Sequence, residues 1–303
     1  AKNRKLLEFL PMRPTPASFA LCGLLFTLLA GCNSPASNTA APTSSAPAVA
    51  TAPSTPPAQP VAVTAPAPAP APAPVPAPAP AVEAKPAAVL PPVTILLAGD
   101  STVSNYASTT VQEGWGMELG QFFNDQVKVN NQAQGGANIR SFKGSSNWTR
   151  IMAAVQPGDY VLMQFGANDS GTAHGPVYVP EFVDTLGQMA DEVRAKQATP
   201  LFVTPSAFYE WQGTVELNNR LGPYAAACYT AGTAKNVQVV DLNARGVEWL
   251  NSVGPDGAKS FYLPNSQQVP DKAHFVKAGA TQMAKLVAEE IRRLNSPLAA
   301  YLK

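Results

Sequence analysis

From residue 93 onward, short runs that are apolar throughout alternate with longer stretches in which apolar residues return every three or four positions. Uninterrupted apolar runs of this kind, rich in Val, Leu, Ile or Phe, mark strands buried on both faces. Residues 93–98, 127–130, 160–165, 201–204 and 237–242 fit that description. The stretches 115–124, 148–155, 180–195, 219–235 and 244–253 carry helical spacing, and 277–294 closes the chain with Ala280, Met283, Leu286, Val287 and Ile291 on one helical face. Strand and helix therefore alternate throughout. This order predicts a five-stranded parallel sheet between two layers of helices, a three-layer α/β/α sandwich with right-handed crossovers. In such a sandwich ligands gather beyond the carboxyl ends of the strands, so the residues that follow each strand are the first to read for chemistry.

Composition separates this stretch from what precedes it. The chain has 303 residues and 31 prolines, and 18 of the prolines, together with 20 alanines, fall among the 60 residues from 33 to 92. Only Glu83 and Lys85 are charged there. A segment with so few large apolar side chains cannot offset the entropy of ordering itself, so 33–92 is expected to be a disordered linker. Its alternating Ala-Pro run over 65–81 favours extended polyproline-type chain at about 3.1 Å per residue, a tether reaching on the order of 100 to 190 Å. The 211 residues that remain, 93–303, suffice for one domain with a sizeable core. They hold 16 Lys and Arg against 18 Asp and Glu. That balance, with no basic cluster, zinc-finger spacing or phosphate-binding loop, argues against a nucleic-acid partner.

Ahead of the linker, Met12-Arg13 and the apolar run 19–29 have the charged start and short hydrophobic region of an export signal. The run is too short for a comfortable membrane span. It ends in Leu29-Ala30-Gly31-Cys32, which resembles the lipobox of bacterial lipoproteins, whose cysteine is acylated and becomes the mature N-terminus. Residues 1–32 then form a signal peptide, lipidated Cys32 supplies membrane association, and the expected location is the bacterial cell envelope, on the periplasmic face or outer membrane. With Cys22 in the signal and Cys32 carrying lipid, only Cys228 remains in the domain, and no intrachain disulfide is expected. Cys228 has no obvious His or acid partner and reads as a small buried hydrophobe.

Four segments stand where chemistry is expected. Gly99-Asp100-Ser101-Thr102 follows the first strand, a stretch containing Gly135-Gly136-Ala137-Asn138 the second, and Gly166-Ala167-Asn168-Asp169 the third, while Asp271-Lys272-Ala273-His274 lies near the end. A serine hydroxyl is a poor nucleophile until a base takes its proton, and the domain offers only His174 and His274. His274 is favoured. Asp271 precedes it by three residues, so in a turn or a first helical coil the carboxylate can orient the ring. Taken alone, Asp271 and His274 would read as a helix N-cap and a surface histidine before the last helix. Asp100 and Asp169 read as acids that hold the strand-end loops through backbone N–H groups, and His174, beside Gly175-Pro176, as a loop residue.

In this order and spacing the four segments resemble the motif blocks of the SGNH (GDSL) hydrolase superfamily, over the whole of 93–303. Leu97 to Val103, Gly114-Trp115-Gly116, Gly136 with Arg140-Ser141-Phe142, Gly158-Asp159-Tyr160 and Tyr224 with Asp241-Leu242 are similar to its rhamnogalacturonan acetylesterase-like branch, which removes acetyl groups from polysaccharides. The resemblance implies a flavodoxin-like sandwich, Ser101, Asp271 and His274 as catalytic residues, and an oxyanion hole from the Ser101 N–H, the Gly136 N–H and the Asn168 side chain. Glycine suits a backbone that must approach closely or take positive φ, and an asparagine NH2 donates without titrating. The branch usually has His where this chain has Ala167, and often an Arg-rich segment where it has Ser206-Ala207-Phe208. Acetylated neutral or bacterial exopolysaccharides therefore fit better than pectin-like polymers.

The expected protein is a lipid-anchored serine esterase, monomeric and without metal or other cofactor, that removes O-acetyl groups from carbohydrate through an acetyl-Ser101 intermediate. Phe208, Tyr209 and Trp211 are the candidate sugar contacts, since they follow the fourth strand and flat rings suit carbohydrate faces; Trp115 and Trp148 read as core. Two other enzyme readings keep the same triad: a lipid or thioester esterase, and a polysaccharide O-acetyltransferase. A non-catalytic cell-surface binding lipoprotein is the reading from another class.

Overall fold

The structure, a computed structural model, describes residues 90–171, 173, 175–213 and 216–303. The expected signal peptide with Cys22 and Cys32, the linker as far as residue 89, and His174 lie outside the described residues.

Ten strands run in chain order among the described residues: β1 Val93–Gly99, β2 Gln112–Glu113, β3 Val127–Asn131, β4 Tyr160–Gln164, β5 Thr199–Val203, β6 Trp211–Gln212, β7 Glu216–Leu217, β8 Val239–Val240, β9 Tyr262–Pro264 and β10 Pro270–Val276. The helices are α1 Trp115–Glu118, α2 Ile139–Lys143, α3 Ser146–Ala154, α4 Val179–Ala195, α5 Gly222–Lys235, α6 Leu242–Ala258 and α7 Lys277–Arg293. The main sheet is five-stranded and wholly parallel, in the order β3-β1-β4-β5-β8. Chain order therefore reverses direction between β1 and β4, and the crevice outside their carboxyl ends is where this architecture binds ligands.

Side chains alternate across each strand, and here both faces are buried. Ile95 and Leu97 point into one core with Leu162, Leu201 and Val203, capped by Ala280, Met283, Val287 and Ile291 of α7 and by Leu250 of α6. Leu96 and Ala98 point into the other, with Val161, Met163 and Phe202, capped by Ile151 of α3, Phe182, Leu186 and Met189 of α4, and Cys228 of α5. This is the expected three-layer sandwich. Trp115 and Trp148 are 1% and 4% exposed, consistent with packing roles. No helix among the described residues is long and apolar enough to cross a membrane.

Several boundaries differ from the sequence pattern, for local reasons. The expected helix 115–124 is one turn of α1 followed by a 3-10 turn, Leu119–Phe122; Gly116 and Gly120 weaken it, and Phe123 is already extended. The expected strand 237–242 shrinks to β8 because Asp241 caps α6, its carboxylate accepting from Ala244 N. Helix α6 runs past 253 to Ala258 across a break at Gly254, whose φ is 71°, ahead of Pro255. Helix α5 starts at Gly222 with Pro223 in its first turn, where a missing N–H costs nothing.

A second sheet was not foreseen. Strands β2, β10 and β9 form a small antiparallel sheet that carries Asp271 and His274, and β2 pairs with β10 through Glu113 opposite Phe275. The two residues thus sit on an irregular strand, neither a free turn nor the first coil of α7, whose N-cap is Val276. Helix α7 is pressed against this sheet at Gly279, where an added Cβ would stand 2.0 Å from the Phe261 carbonyl oxygen. We therefore expect Gly279→Ala to destabilise the domain by about 1–3 kcal/mol or more, read by denaturant unfolding. Wild-type stability in that variant would contradict the close packing.

Candidate active site

Strand β1 ends in a tight turn built from Asp100. Its carbonyl accepts from Val103 N and Ser104 N, and its Oδ1 from Thr102 N and Thr102 Oγ1, at 2.9 and 2.8 Å. The turn lifts Ser101 out of the sheet. On the irregular strand β10, Asp271 Oδ1 accepts from Ala273 N and His274 N, at 2.6 and 3.0 Å, and this side-chain turn explains the break in register between Pro270 and Phe275. It also presents His274 to the end of β1. His274 Nε2 lies 2.9 Å from Ser101 Oγ, and Nδ1 lies 3.0 Å from Asp271 Oδ2. An ionised carboxylate can only accept, so Nδ1 carries the hydrogen and the Nε2 lone pair faces the serine hydroxyl.

The groups titrate according to their surroundings. Burial alone would raise the Asp271 carboxyl, but the hydrogen bonds from the His274 ring and from Ala273 and His274 N–H, with the ring's positive charge, outweigh it and bring it down to about 2. His274 is raised above the ordinary 6.5, first by the hydrogen bond to Asp271, against burial, with the charges of Asp271 and Asp100 adding to the rise. The arrangement is a base held in one tautomer and poised against a hydroxyl.

Two further strand ends converge on Ser101. The loop after β3 is tied to β1 by Gln134 N donating to Gly99 O at 2.9 Å, and a Cβ on Gly135 would stand 3.9 Å from Ser101 Cβ. Gly136 has φ +76°, which an L side chain would strain. After β4, Asn168 Nδ2 donates to Ala137 O at 3.0 Å, so the amide is pinned to the Gly136 loop and its second hydrogen has no acceptor among the described residues. Neither the Ser101 N–H nor the Gly136 N–H has an acceptor among the described residues. Beneath them Asp169 takes Ile139 N on one oxygen and Gly166 N on the other, both at 2.9 Å, clamping the two loops together; burial pushes it up to about 6. The structure thus gathers Ser101, Gly136, Asn168, Asp271 and His274 in one place.

The aromatic candidates sit beside this centre. Tyr209 N donates to Lys272 O at 2.7 Å, and the Tyr209 ring packs 5.3 Å from Tyr262, which packs 5.2 Å from Phe275. Tyr209 is thereby engaged in buttressing the Asp271–His274 segment, and its hydroxyl is tied to Pro255 O. Phe208 is 8% exposed, with the Arg220 guanidinium 5.3 Å over its ring. Trp211 is half-buried, and its indole N–H is buried without a hydrogen-bond partner among the described residues. Cys228 is buried in the far core, and burial raises its thiol. Among the described residues no group of three or more His, Cys, Asp or Glu side chains could hold a metal.

Sequence reasoning missed Tyr106, whose hydroxyl donates to Ser101 O at 2.8 Å; burial and the charge of Asp100 push that hydroxyl up to about 12. Nothing in its sequence surroundings marks it. It also missed Gln164, whose signal was available: a lone amide in an otherwise apolar strand, 1% exposed.

Residues 97–281 match the GDSL-like lipase/acylhydrolase family. Rhamnogalacturonan acetylesterase RhgT of Bacillus subtilis (strain 168) is 34% identical over 220 residues, covering 70% of this chain and 94% of its own length. Probable rhamnogalacturonan acetylesterase YesY of the same organism is 33% identical over 207 residues, covering 67% and 94%. Among solved structures, YxiM of Bacillus subtilis superposes with a TM-score of 0.61 at 29% identity, over 68% of this chain and 58% of its own.

The Nδ1 hydrogen bond makes a prediction about titration. His274 should titrate above 6.5 by NMR, and Asp271→Asn should lower its pKa. Since the base acts only when neutral, kcat/KM should fall as pH drops through that same value. An unshifted His274 in the wild-type protein would contradict the arrangement.

Proposed function

The chain belongs to the GDSL-like lipase/acylhydrolase family, and on that premise we propose that it is a serine esterase that removes O-acetyl groups from carbohydrate through an acetyl-Ser101 intermediate. The observation that carries the reading is the line of hydrogen bonds from Asp271 through His274 to Ser101, at 3.0 and 2.9 Å, beside three unengaged N–H donors. Relatives that bear the name acetylesterase at 33% and 34% identity support acetyl as the acyl group and carbohydrate as its carrier.

The chemistry follows from the geometry. His274 Nε2 takes the Ser101 proton as Oγ attacks the acetyl carbonyl carbon, and the imidazolium so formed is stabilised by Asp271. The negative charge moves to the carbonyl oxygen, where the Ser101 N–H, the Gly136 N–H and the free hydrogen of Asn168 Nδ2 can meet it. One such donor is typically worth about 3 to 4 kcal/mol of barrier. When the intermediate collapses, the sugar oxygen leaves with the proton from His274. Water then repeats the sequence on acetyl-Ser101 and releases acetate. These steps need only the chain's own groups and water.

Substrate recognition and location belong to the same proposal. Among the three aromatic candidates, Trp211 is half-buried and is the one that supports contact with a sugar, with the Tyr209 ring packed edge-on 6.4 Å away. The Leu29-Ala30-Gly31-Cys32 segment supports attachment to a cell-envelope membrane through lipidated Cys32, and the Ala/Pro-rich stretch supports a tether letting the domain search nearby polymer.

The test is acetate release from p-nitrophenyl acetate and from acetylated xylan. Ser101→Ala should abolish both, and Asn168→Ala should cut kcat by about 10²–10³. Persistent activity in Ser101→Ala would overturn the nucleophile; folded wild-type protein inactive on both substrates would overturn the acetylesterase.

A further inference from the structure

Beneath the nucleophile lies a chain of buried hydrogen bonds that acyl transfer does not itself require. The Trp115 indole N–H donates to Gln164 Oε1 over 2.7 Å, Gln164 Nε2 donates to Thr102 Oγ1 over 2.6 Å, and Thr102 Oγ1 donates to Asp100 Oδ1 over 2.8 Å. None of the four residues is more than 1% exposed.

The direction of this chain is set by chemistry. An indole nitrogen can only donate, so the Gln164 oxygen must face Trp115 and its NH2 must face Thr102. That NH2 can only donate in turn, so the Thr102 hydroxyl accepts from it and turns its single hydrogen toward Asp100. Asp100 Oδ1 thus receives both the Thr102 O–H and the Thr102 N–H, while Oδ2 is buried with no partner among the described residues. To hold the turn by those two donors one acceptor oxygen is enough, and asparagine would supply it. What a carboxylate adds is charge.

Asp100 directly precedes Ser101, whose Oγ lies 2.9 Å from His274 Nε2, so that charge stands beside the catalytic centre. Burial raises Asp100 and outweighs the Thr102 hydrogen bonds and the positive charge of His274, which lower it, leaving it at about 6. The other groups that feel it are Asp169, from the loop after β4, and the Tyr106 hydroxyl; His274 itself also faces Asp271.

We propose that Gln164 and Thr102 are positioning residues that hold Asp100 as a second anion beside His274, so that the imidazolium formed during acyl transfer is stabilised by two carboxylates. Asp271 acts through a direct hydrogen bond, and Asp100 acts through space from the turn that carries the nucleophile. The inference rests on the reading of Ser101 and His274 as nucleophile and base.

The test is NMR titration of His274 in the full chain, which contains two histidines, with His274→Gln assigning the signal. Asp100→Asn removes the charge, and Thr102→Val removes the O–H donor at nearly constant shape. Each should lower the His274 pKa and cut kcat on p-nitrophenyl acetate by about tenfold or more, with KM little changed. Thr102→Ser, which keeps the donor, should restore the wild-type titration. A purely structural role for the chain would reduce activity without moving the pKa. Where Thr102→Val fails to fold, Thr102→Ala removes the same O–H donor and is read in the same way. An unchanged His274 titration in the folded variants would overturn the second anion. It would leave the nucleophile standing, because that is decided separately by Ser101→Ala.

Discussion

The structure depends on one hydrogen bond, 2.9 Å long, between side chains 173 residues apart: Ser101 Oγ and His274 Nε2. For a sheet enzyme this is a demanding constraint. Ser101 belongs to the end of the first strand of the main sheet, and His274 to a different sheet altogether. The antiparallel pairing of β2 with β10 satisfies it, because β2 follows directly from the loop that begins at Ser101. The chain that leaves the serine thus returns to hold the strand that carries the histidine. Behind that strand, Tyr209, Tyr262 and Phe275 form a continuous aromatic buttress, and Tyr209 N donates to the Lys272 carbonyl between Asp271 and His274.

Three aspartates surround this bond and differ because their donors differ. Asp271 is half-exposed and receives three hydrogen bonds, two of them from backbone N–H groups, so it remains an anion far below neutral pH. Asp100 and Asp169 are fully buried, and burial brings both up to about 6. Asp169 uses both oxygens on backbone N–H groups and serves as a clamp between two loops. Asp100 uses one oxygen only. A buried carboxylate with an unengaged oxygen is costly to keep ionised, and such a cost is most readily understood where the charge itself has work beside the base.

Much of this was legible in the sequence because much of it is local. Apolar runs such as 93–98 and 160–165 need no tertiary information to be read as buried strands, and the spacing of Ala280, Met283, Val287 and Ile291 defines the inward face of α7. Alternation of the two classes implies a parallel sheet, and a parallel sheet places chemistry at its carboxyl edge. The Gly-Asp-Ser, Gly-Gly, Ala-Asn-Asp and Asp-Lys-Ala-His segments were recognisable for that reason. What escaped were elements without periodicity: β2 is two residues long, β10 is interrupted by its own aspartate, and α2 is five residues long.

The sequence by itself thus determined the sandwich, the strand ends that matter and the residue types gathered there, because burial period and turn chemistry act over a few neighbours. Only the tertiary structure decided how those ends meet. It gave Gly136 its positive φ, pinned the Asn168 amide to Ala137, occupied Phe208 and Tyr209 in packing, and joined Trp115, Gln164, Thr102 and Asp100 into one directed chain. Each of these joins residues that are remote in sequence or turns on space left by neighbouring elements. Such relations arise only when the layers close on one another, since the distances that define them do not exist in the extended chain.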